Sequence, residues 1–344
     1  MLDVAEYGSG MHVFADAGYS LRIAMNAVIV ESFAKAPRYG SFADPAAEAG
    51  EVLIQVEAAG LHQIVKSLAN GSHYGSTGVL PFIPGVDGVG RLEDGTRVYF
   101  GVSRPPFGTF AERAVTKTAL SMRLPDGLDA VTAAGLANPG MSSWVALQFR
   151  AKFVAGESVL ILGATGSAGL LAVQIAKRLG ARRVIAAGRN EQALASAQEL
   201  GADAVIPLEQ SHDALVAAFR NEIVVHGVDV VLDYLWGEPA ECVLAAIAQK
   251  GLSHAAPRIR YIEIGQMAGA TITLGGATLR SSGVELLGSG FGSASMQEIF
   301  AALAKFFEQA AMTPFVAKIK AVAMRDVEKL WNTPEREGRL VFQP

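Results

Sequence analysis

The sequence predicts an α/β protein in which a doubly wound parallel sheet is inserted into a β-rich remainder of the chain. Three observations carry that expectation. An apolar strand at 159–162 runs into a glycine-punctuated turn at 163–169, strands and helices alternate from there to residue 287, and short β runs separated by Gly and Pro fill 25–145.

Val159–Leu162 is apolar throughout, as expected for a central parallel strand covered on both faces. In the turn Gly163-Ala164-Thr165-Gly166-Ser167-Ala168-Gly169, Gly163 permits the tight bend, Gly166 admits a close ligand, and Gly169 lets a helix pack on the strand. The next apolar-periodic stretch, Leu170–Leu179, predicts that helix, with Lys177 and Arg178 outward and Gly180 as its stop. Bare N–H groups at the positive end of the helix dipole suit a pyrophosphate, so the turn predicts a bound dinucleotide. The competing reading is a glycine turn that binds nothing.

A second strand, Arg183–Ala187, leads to Gly188-Arg189-Asn190 and a helix over Glu191–Leu200, with Asn190 placed to cap it and Gly201 after it. Further strands are expected at 203–206, 228–233, 259–264 and 283–287, joined by right-handed crossovers. The end of the second strand selects the cofactor. An acidic residue there would hold a ribose 2′-hydroxyl, but this chain has Gly188, 25 residues after Gly163, then Arg189. Gly188 leaves room and Arg189 offers a planar fork for a phosphate, which predicts NADPH over NADH. The alternative is that Arg189 is a solvated residue at a helix start.

The chain has 344 residues, 51% of them hydrophobic and 18% charged, enough for two domains with a large core. A net charge of −4 without a Lys/Arg block argues against nucleic acid or an anionic membrane as partner. Apolar runs are too short and too interrupted to span a bilayer. Asp3 and Glu6 argue against a signal peptide. The single cysteine, Cys242, is expected in a helix; it excludes an internal disulfide and fits a cytoplasmic location.

Before the glycine turn, β runs are expected at 26–31, 51–57, 88–92, 97–100 and 109–115, with few helices; Asp94-Gly95 marks a hairpin. An amphipathic helix at 295–309 and a strand at 340–342 close the chain. With Ala59-Gly60-Leu61, Pro84-Gly85-Val86-Asp87-Gly88-Val89-Gly90, Gly108-Thr109-Phe110-Ala111-Glu112, Ala137-Asn138-Pro139-Gly140-Met141-Ser142, the Gly163–Gly169 turn and Gly338-Arg339-Leu340-Val341, this order resembles the medium-chain dehydrogenases/reductases, in their zinc-free quinone oxidoreductase-like branch. The resemblance covers about 25–344 and leaves 1–24 as an N-terminal extension.

The resemblance implies a GroES-like substrate domain at 25–145 plus 291–344, a Rossmann domain at 146–290, and a cleft between them. Residues Asn138, Met141 and Ser142, with Asp233-Tyr234-Leu235 (followed by Trp236) and Ile264-Gly265-Gln266-Met267, would meet the cofactor. Tyr234 and Trp236 read equally as packing aromatics. Gly288–Ser293 would line the cleft, and a homodimer would join through an edge near Thr271–Leu274.

The zinc ligands of the wider family fall on His62, Val86 and Asn138, with Asp87 adjacent, a poor donor set that implies no metal. The branch's polar residues after Ala-Gly-Leu are replaced by His62, Val65 and Ser67, which leaves His62, His73 and Tyr74 as candidates to face a substrate oxygen. The competing reading of either histidine is a hydrogen bond to a loop backbone; Asp87 is expected to fix backbone amides between the domains. The expected activity is zinc-independent, NADPH-dependent hydride transfer to a quinone, enone or other carbonyl. The alternatives are a zinc-free alcohol or aldehyde dehydrogenase and an NADPH-binding protein without turnover.

Overall fold

The structure, a computed structural model, describes residues 24–248, 256–334 and 338–344. The expected extension therefore lies outside the described residues except for Ala24, which opens the first strand. Strands β1 (Ala24–Ile29) and β2 (Arg38–Ala43) form an antiparallel pair. Strands β3 (Glu51–Gly60), β4 (Asp87–Arg91), β5 (Arg97–Gly101), β6 (Arg113–Lys117) and β7 (Ser121–Arg123) build an antiparallel sheet. Gly95, at φ +82°, turns the chain between β4 and β5, as Asp94-Gly95 predicts. The strand expected at 109–115 starts at Arg113. Thr109 and Phe110 instead return to the loop before β4, bonding Gly85 and Pro84 carbonyls.

Two helices interrupt this β-rich part, where few were expected: α1 (Gln63–Ala69) and the long α2 (Ala130–Val145). Helix α2 is capped by Asp129, whose carboxylate accepts the Thr132 N–H at 2.9 Å. Ten of its sixteen residues are buried. It packs against β3 and β4 on one side and against two later helices on the other, which encloses most of its surface.

The second sheet is wholly parallel. It contains β8 (Ser158–Leu162), β9 (Arg183–Gly188), β10 (Ala204–Pro207), β11 (Val230–Asp233), β12 (Arg258–Glu263) and β13 (Gly283–Gly288). Their spatial order is β10-β9-β8-β11-β12-β13, which places the reversal of winding between β8 and β11. Helices α3 (Ser167–Arg178), α4 (Glu191–Glu199), α5 (His212–Asn221), α6 (Gly237–Ile247) and α7 (Gly276–Arg280) connect these strands. Cys242 lies buried in α6.

The two edges of this sheet are β10 and β13. Thr271–Leu274 carries no strand, because the chain there crosses toward α7 and the Thr273 N–H bonds the Glu241 carboxylate at 2.6 Å.

After the sheet come α8 (Met296–Met312), β14 (Ile319–Ala323), α9 (Val327–Leu330) and β15 (Arg339–Gln343). Strand β15 pairs with β3 and carries β14 beside it, so the C-terminus completes the first sheet. Helix α8 presses Phe306 and Phe307 into the same core as α2 and α3. A Cβ on Gly140 would overlap the Phe306 ring, so glycine sets how closely α2 and α8 approach. No helix among the described residues is long and apolar enough to cross a membrane.

Candidate active site

The carboxyl ends of β9, β8, β11 and β12 bring most of the expected cofactor residues into one track. At β8, Gly163 takes φ +84° and is followed directly by α3, which begins at Ser167 rather than Leu170. Its N-cap is Gly166, with no side chain capping the first turn. The N–H groups of that turn are thus available to an outside acceptor. Only Gly163 carbonyl oxygen, at 3.6 Å, lies within 4 Å of where a Gly166 Cβ would stand. On Gly169, by contrast, a Cβ would overlap the Gly163 carbonyl and the Ala164 backbone. One glycine leaves room for a ligand; the other lets helix and strand touch.

At β9, Gly188 is buried, and a Cβ there would collide with the Thr165 side chain. Arg189 is exposed beside it. Asn190 caps α4 by accepting the Ala193 N–H at 2.8 Å. Its side chain therefore has a structural duty as well as its expected place near the cofactor.

At β11, Asp233 organises the next loop. Its Oδ1 accepts the N–H groups of Leu235 (2.7 Å) and Trp236 (3.0 Å), and its Oδ2 accepts the Tyr261 hydroxyl (2.7 Å). Burial raises its pKa against those three stabilising bonds. The Asp233 carbonyl accepts N–H groups from Ile264 and Gly265, and Tyr234 and Leu235 carbonyls take those of Met267 and Ala268. The two expected segments, 233–235 and 264–267, are thereby laced together. Asp233 binds them through its own carboxylate, which leaves that group committed within the protein.

Tyr234 and Leu235 lie against Gly163, each 3.2 Å from where its Cβ would be. The Tyr234 hydroxyl reaches Ser142 Oγ at 3.2 Å, and Ser142 donates to the Pro139 carbonyl at 2.7 Å. A serine hydroxyl has one proton, so Tyr234 is the donor of the pair. Burial pushes Tyr234 up to about 12. Asn138, Met141 and Ser142 are half-buried positions spaced by three and four along α2, hence on one stripe of an otherwise buried helix.

The three catalytic candidates separate. His73 and Tyr74 lie in the loop after α1, with rings 4.1 Å apart. His73 Nδ1 accepts the Gly75 N–H at 3.0 Å, so its proton resides on Nε2. Burial lowers its pKa, which keeps it neutral at pH 7. The Tyr74 hydroxyl donates to the Phe291 carbonyl at 3.1 Å, just past β13. The bond joins that loop to the 288–293 stretch.

His62 is elsewhere: it is 1% exposed and sealed in the interior. Arg339 Nη1 donates to its Nδ1 at 2.6 Å, which leaves the proton on Nε2, 3.3 Å from Asp87 Oδ1. Asp87 Oδ2 accepts the Tyr99 hydroxyl at 2.9 Å. The expectation that His62 faces a cleft is corrected by this enclosure. Asp87 likewise serves side chains rather than the backbone amides expected for it. Arg339 was visible in the sequence only as part of a motif; nothing local marks it as the partner of a histidine 277 residues away.

A guanidinium on His62, an aliphatic Val86 and the amide of Asn138 do not make a zinc site. Among the described residues no three His, Cys, Asp or Glu side chains converge as metal ligands.

Comparison with known proteins agrees with this layout. A family model described as "Zinc-binding dehydrogenase" matches residues 168–309. A protein of Emericella nidulans, named a probable NADPH-dependent quinone reductase, is 27% identical over 93% of this chain and all of its own length. Human quinone oxidoreductase is 34% identical, but the match spans 41% of this chain and 45% of that protein. Among solved structures, a quinone oxidoreductase from Thermus thermophilus, also solved in complex with NADPH, superposes with a TM-score of 0.75. It is 27% identical, over 93% of this chain and 100% of its own.

Proposed function

Because the chain belongs to the medium-chain dehydrogenase/reductase superfamily, in its quinone oxidoreductase-like branch, we propose that it is an NADPH-dependent reductase of quinones or enones that works without zinc. The observation that carries the reading is the uncapped start of α3 beside Gly166, opening onto a track that runs from Arg189 to Tyr234. These residues fit the cofactor: Ser167–Gly169 amides for the pyrophosphate, Arg189 for a 2′-phosphate, and Tyr234, Ser142 and Ile264–Met267 for the nicotinamide end. When bound, NADPH supplies the hydride.

The protein's own groups favour a particular acceptor. Burial holds the Tyr234 phenol protonated, and its hydroxyl donates a hydrogen bond to Ser142. His73 is neutral and Tyr74 is committed to the Phe291 carbonyl. Such groups orient and hydrogen-bond an oxygen but provide no strong acid at pH 7. A quinone or enone accepts hydride into a delocalised oxyanion that solvent can protonate. A saturated aldehyde or ketone would form a localised alkoxide, which calls for a metal or an acid. The poor zinc donor set at His62, Val86 and Asn138 supports the same choice.

NADPH consumption with a panel of quinones, enones and saturated aldehydes tests the proposal. Turnover with quinones or enones, insensitive to chelators, is expected. Preference for saturated aldehydes, or activity lost to a chelator and restored by zinc, would refute it. Tight NADPH binding with no turnover on any acceptor would identify a binding protein instead.

A further inference from the structure

The chain leaves the parallel sheet for α8 through residues 289–295, and this strap starts beside the cofactor track. Its first end is anchored. The Ser289 N–H donates to the Glu263 carbonyl at 2.8 Å, one residue before the Ile264–Met267 segment. Next to it, Arg150 Nε donates to the Gly288 carbonyl at 2.7 Å. The far end is anchored by the capping box of Ser295 and Glu298 at the start of α8. Between the anchors the strap closes on itself: the Gly290 N–H donates to Ser293 Oγ at 2.7 Å, and Gly292 takes φ +97°.

The middle of the strap meets the other half of the molecule through Tyr74. That side chain is 76% exposed, yet its hydroxyl donates to the Phe291 carbonyl at 3.1 Å and lies 3.5 Å from where a Gly290 Cβ would stand. The loop that carries it is as lightly built as the strap. Its bonds run among its own residues, Gly75 N–H to His73 Nδ1 and Ser76 N–H to the His73 carbonyl, and outward to α1 through the His73 N–H on the Ser67 carbonyl. Phe291 in the strap and Val79 in the loop are 38% and 62% exposed, so neither segment gains much from apolar burial. A hydrogen bond this open to water holds its partners weakly, because water competes for both groups.

We propose that Tyr74 is the latch of the acceptor entrance. Its bond to the Phe291 carbonyl closes the strap across the nicotinamide end of the track, and opening of that bond admits the acceptor. Two anchored ends with a self-closed middle let the strap swing without unfolding, as gating loops do. A phenol on a backbone carbonyl suits the task, since opening exchanges one hydrogen bond for bonds to water and leaves no charge behind. Tyr74 thereby discriminates acceptors by size, a role in gating and not in proton transfer. The acceptor in this inference rests on the reductase reading; the latch does not.

The test is Tyr74→Phe in the full chain, which keeps the exposed ring and removes the hydroxyl. Hydrogen exchange of the ligand-free protein should quicken about three- to tenfold in both 71–79 and 289–294, the worth of one exposed hydrogen bond, and not in α3. With NADPH, the KM for 2-methyl-1,4-naphthoquinone should fall by a similar factor relative to that for 1,4-benzoquinone. Unchanged exchange in either segment would overturn the latch. An equal change for both quinones would overturn the discrimination by size. A kcat lowered with both quinones and exchange as in the wild type would make Tyr74 a substrate contact instead. Wild-type protein that turns over neither quinone would refute the reductase reading and the acceptor gate with it, while quickened exchange would still uphold the latch.

Discussion

In the proposed reading, Arg189 is the residue on which the choice of nucleotide rests. It is exposed, beside a glycine that cannot enlarge without striking Thr165. Arg189→Ala should weaken NADPH binding about 10- to 100-fold, the value of a charge-assisted contact of roughly 1.5–3 kcal/mol. NADH binding should be unchanged; titration of both nucleotides checks this. Arg339 has the opposite character. It is 5% exposed and satisfies His62 Nδ1 in the interior. Arg339→Met leaves that acceptor bare, and urea unfolding should report a loss of about 1–3 kcal/mol. The His62 environment was not legible beforehand because its partner arrives from the far end of the chain. The glycine turn was legible because strand, turn and helix are neighbours in sequence.

Among elements, α3 and α2 show what periodicity can and cannot reveal. Helix α3 lies on the sheet surface with one face buried, and its apolar spacing predicts it, short of its first turn. Ser167 and Ala168 in that turn are small residues that show no periodicity. Helix α2 is enclosed on most sides, so it has no polar face to set a period, and Gly135, Pro139 and Gly140 further disguise it. Those residues serve packing: a Cβ on Gly135 would press on Ile319 of β14 as one on Gly140 would on Phe306. The α2 stripe proposed for the cofactor is therefore legible in the sequence as a motif and not as part of a helix. At the junction of β8 and α3, Gly169→Ala should cost about 1–3 kcal/mol through overpacking against Gly163 and Ala164. It should also lower NADPH affinity by displacing the turn. Urea unfolding and NADPH titration of one variant measure both effects.

At the scale of the whole molecule, two acids at the ends of β11 and β12 link folding to pH in the same direction. Asp233 and Glu263 have pKa values raised on folding. A folded state that holds protons more tightly than the unfolded chain is favoured below the unfolded carboxylate pKa. That advantage is lost as pH rises through the folded value. At neutral pH, Glu263 is thus a stability cost. Glu263→Gln should raise the thermal midpoint at pH 7, and the gain should fade toward pH ~4. Thermal melts at the two pH values check the sign; a gain that persists at the acid end would contradict it.

Strand β15 has a consequence for how the chain is made. The edge of β3 that it covers at Gly60 emerges from the ribosome long before Val341 exists. The parallel sheet, whose strands follow one another from Ser158 to Gly288, can assemble in the order of synthesis; the antiparallel sheet can pair β3 through β7 early but lacks β14 and β15 until the last segment emerges. Until β15 emerges, the Ala59–Gly60 end of β3 has no partner on that side, and the core lacks Leu340, Val341 and Phe342. A chain ending at residue 330 should therefore accumulate in the insoluble fraction on expression, although the parallel sheet is intact.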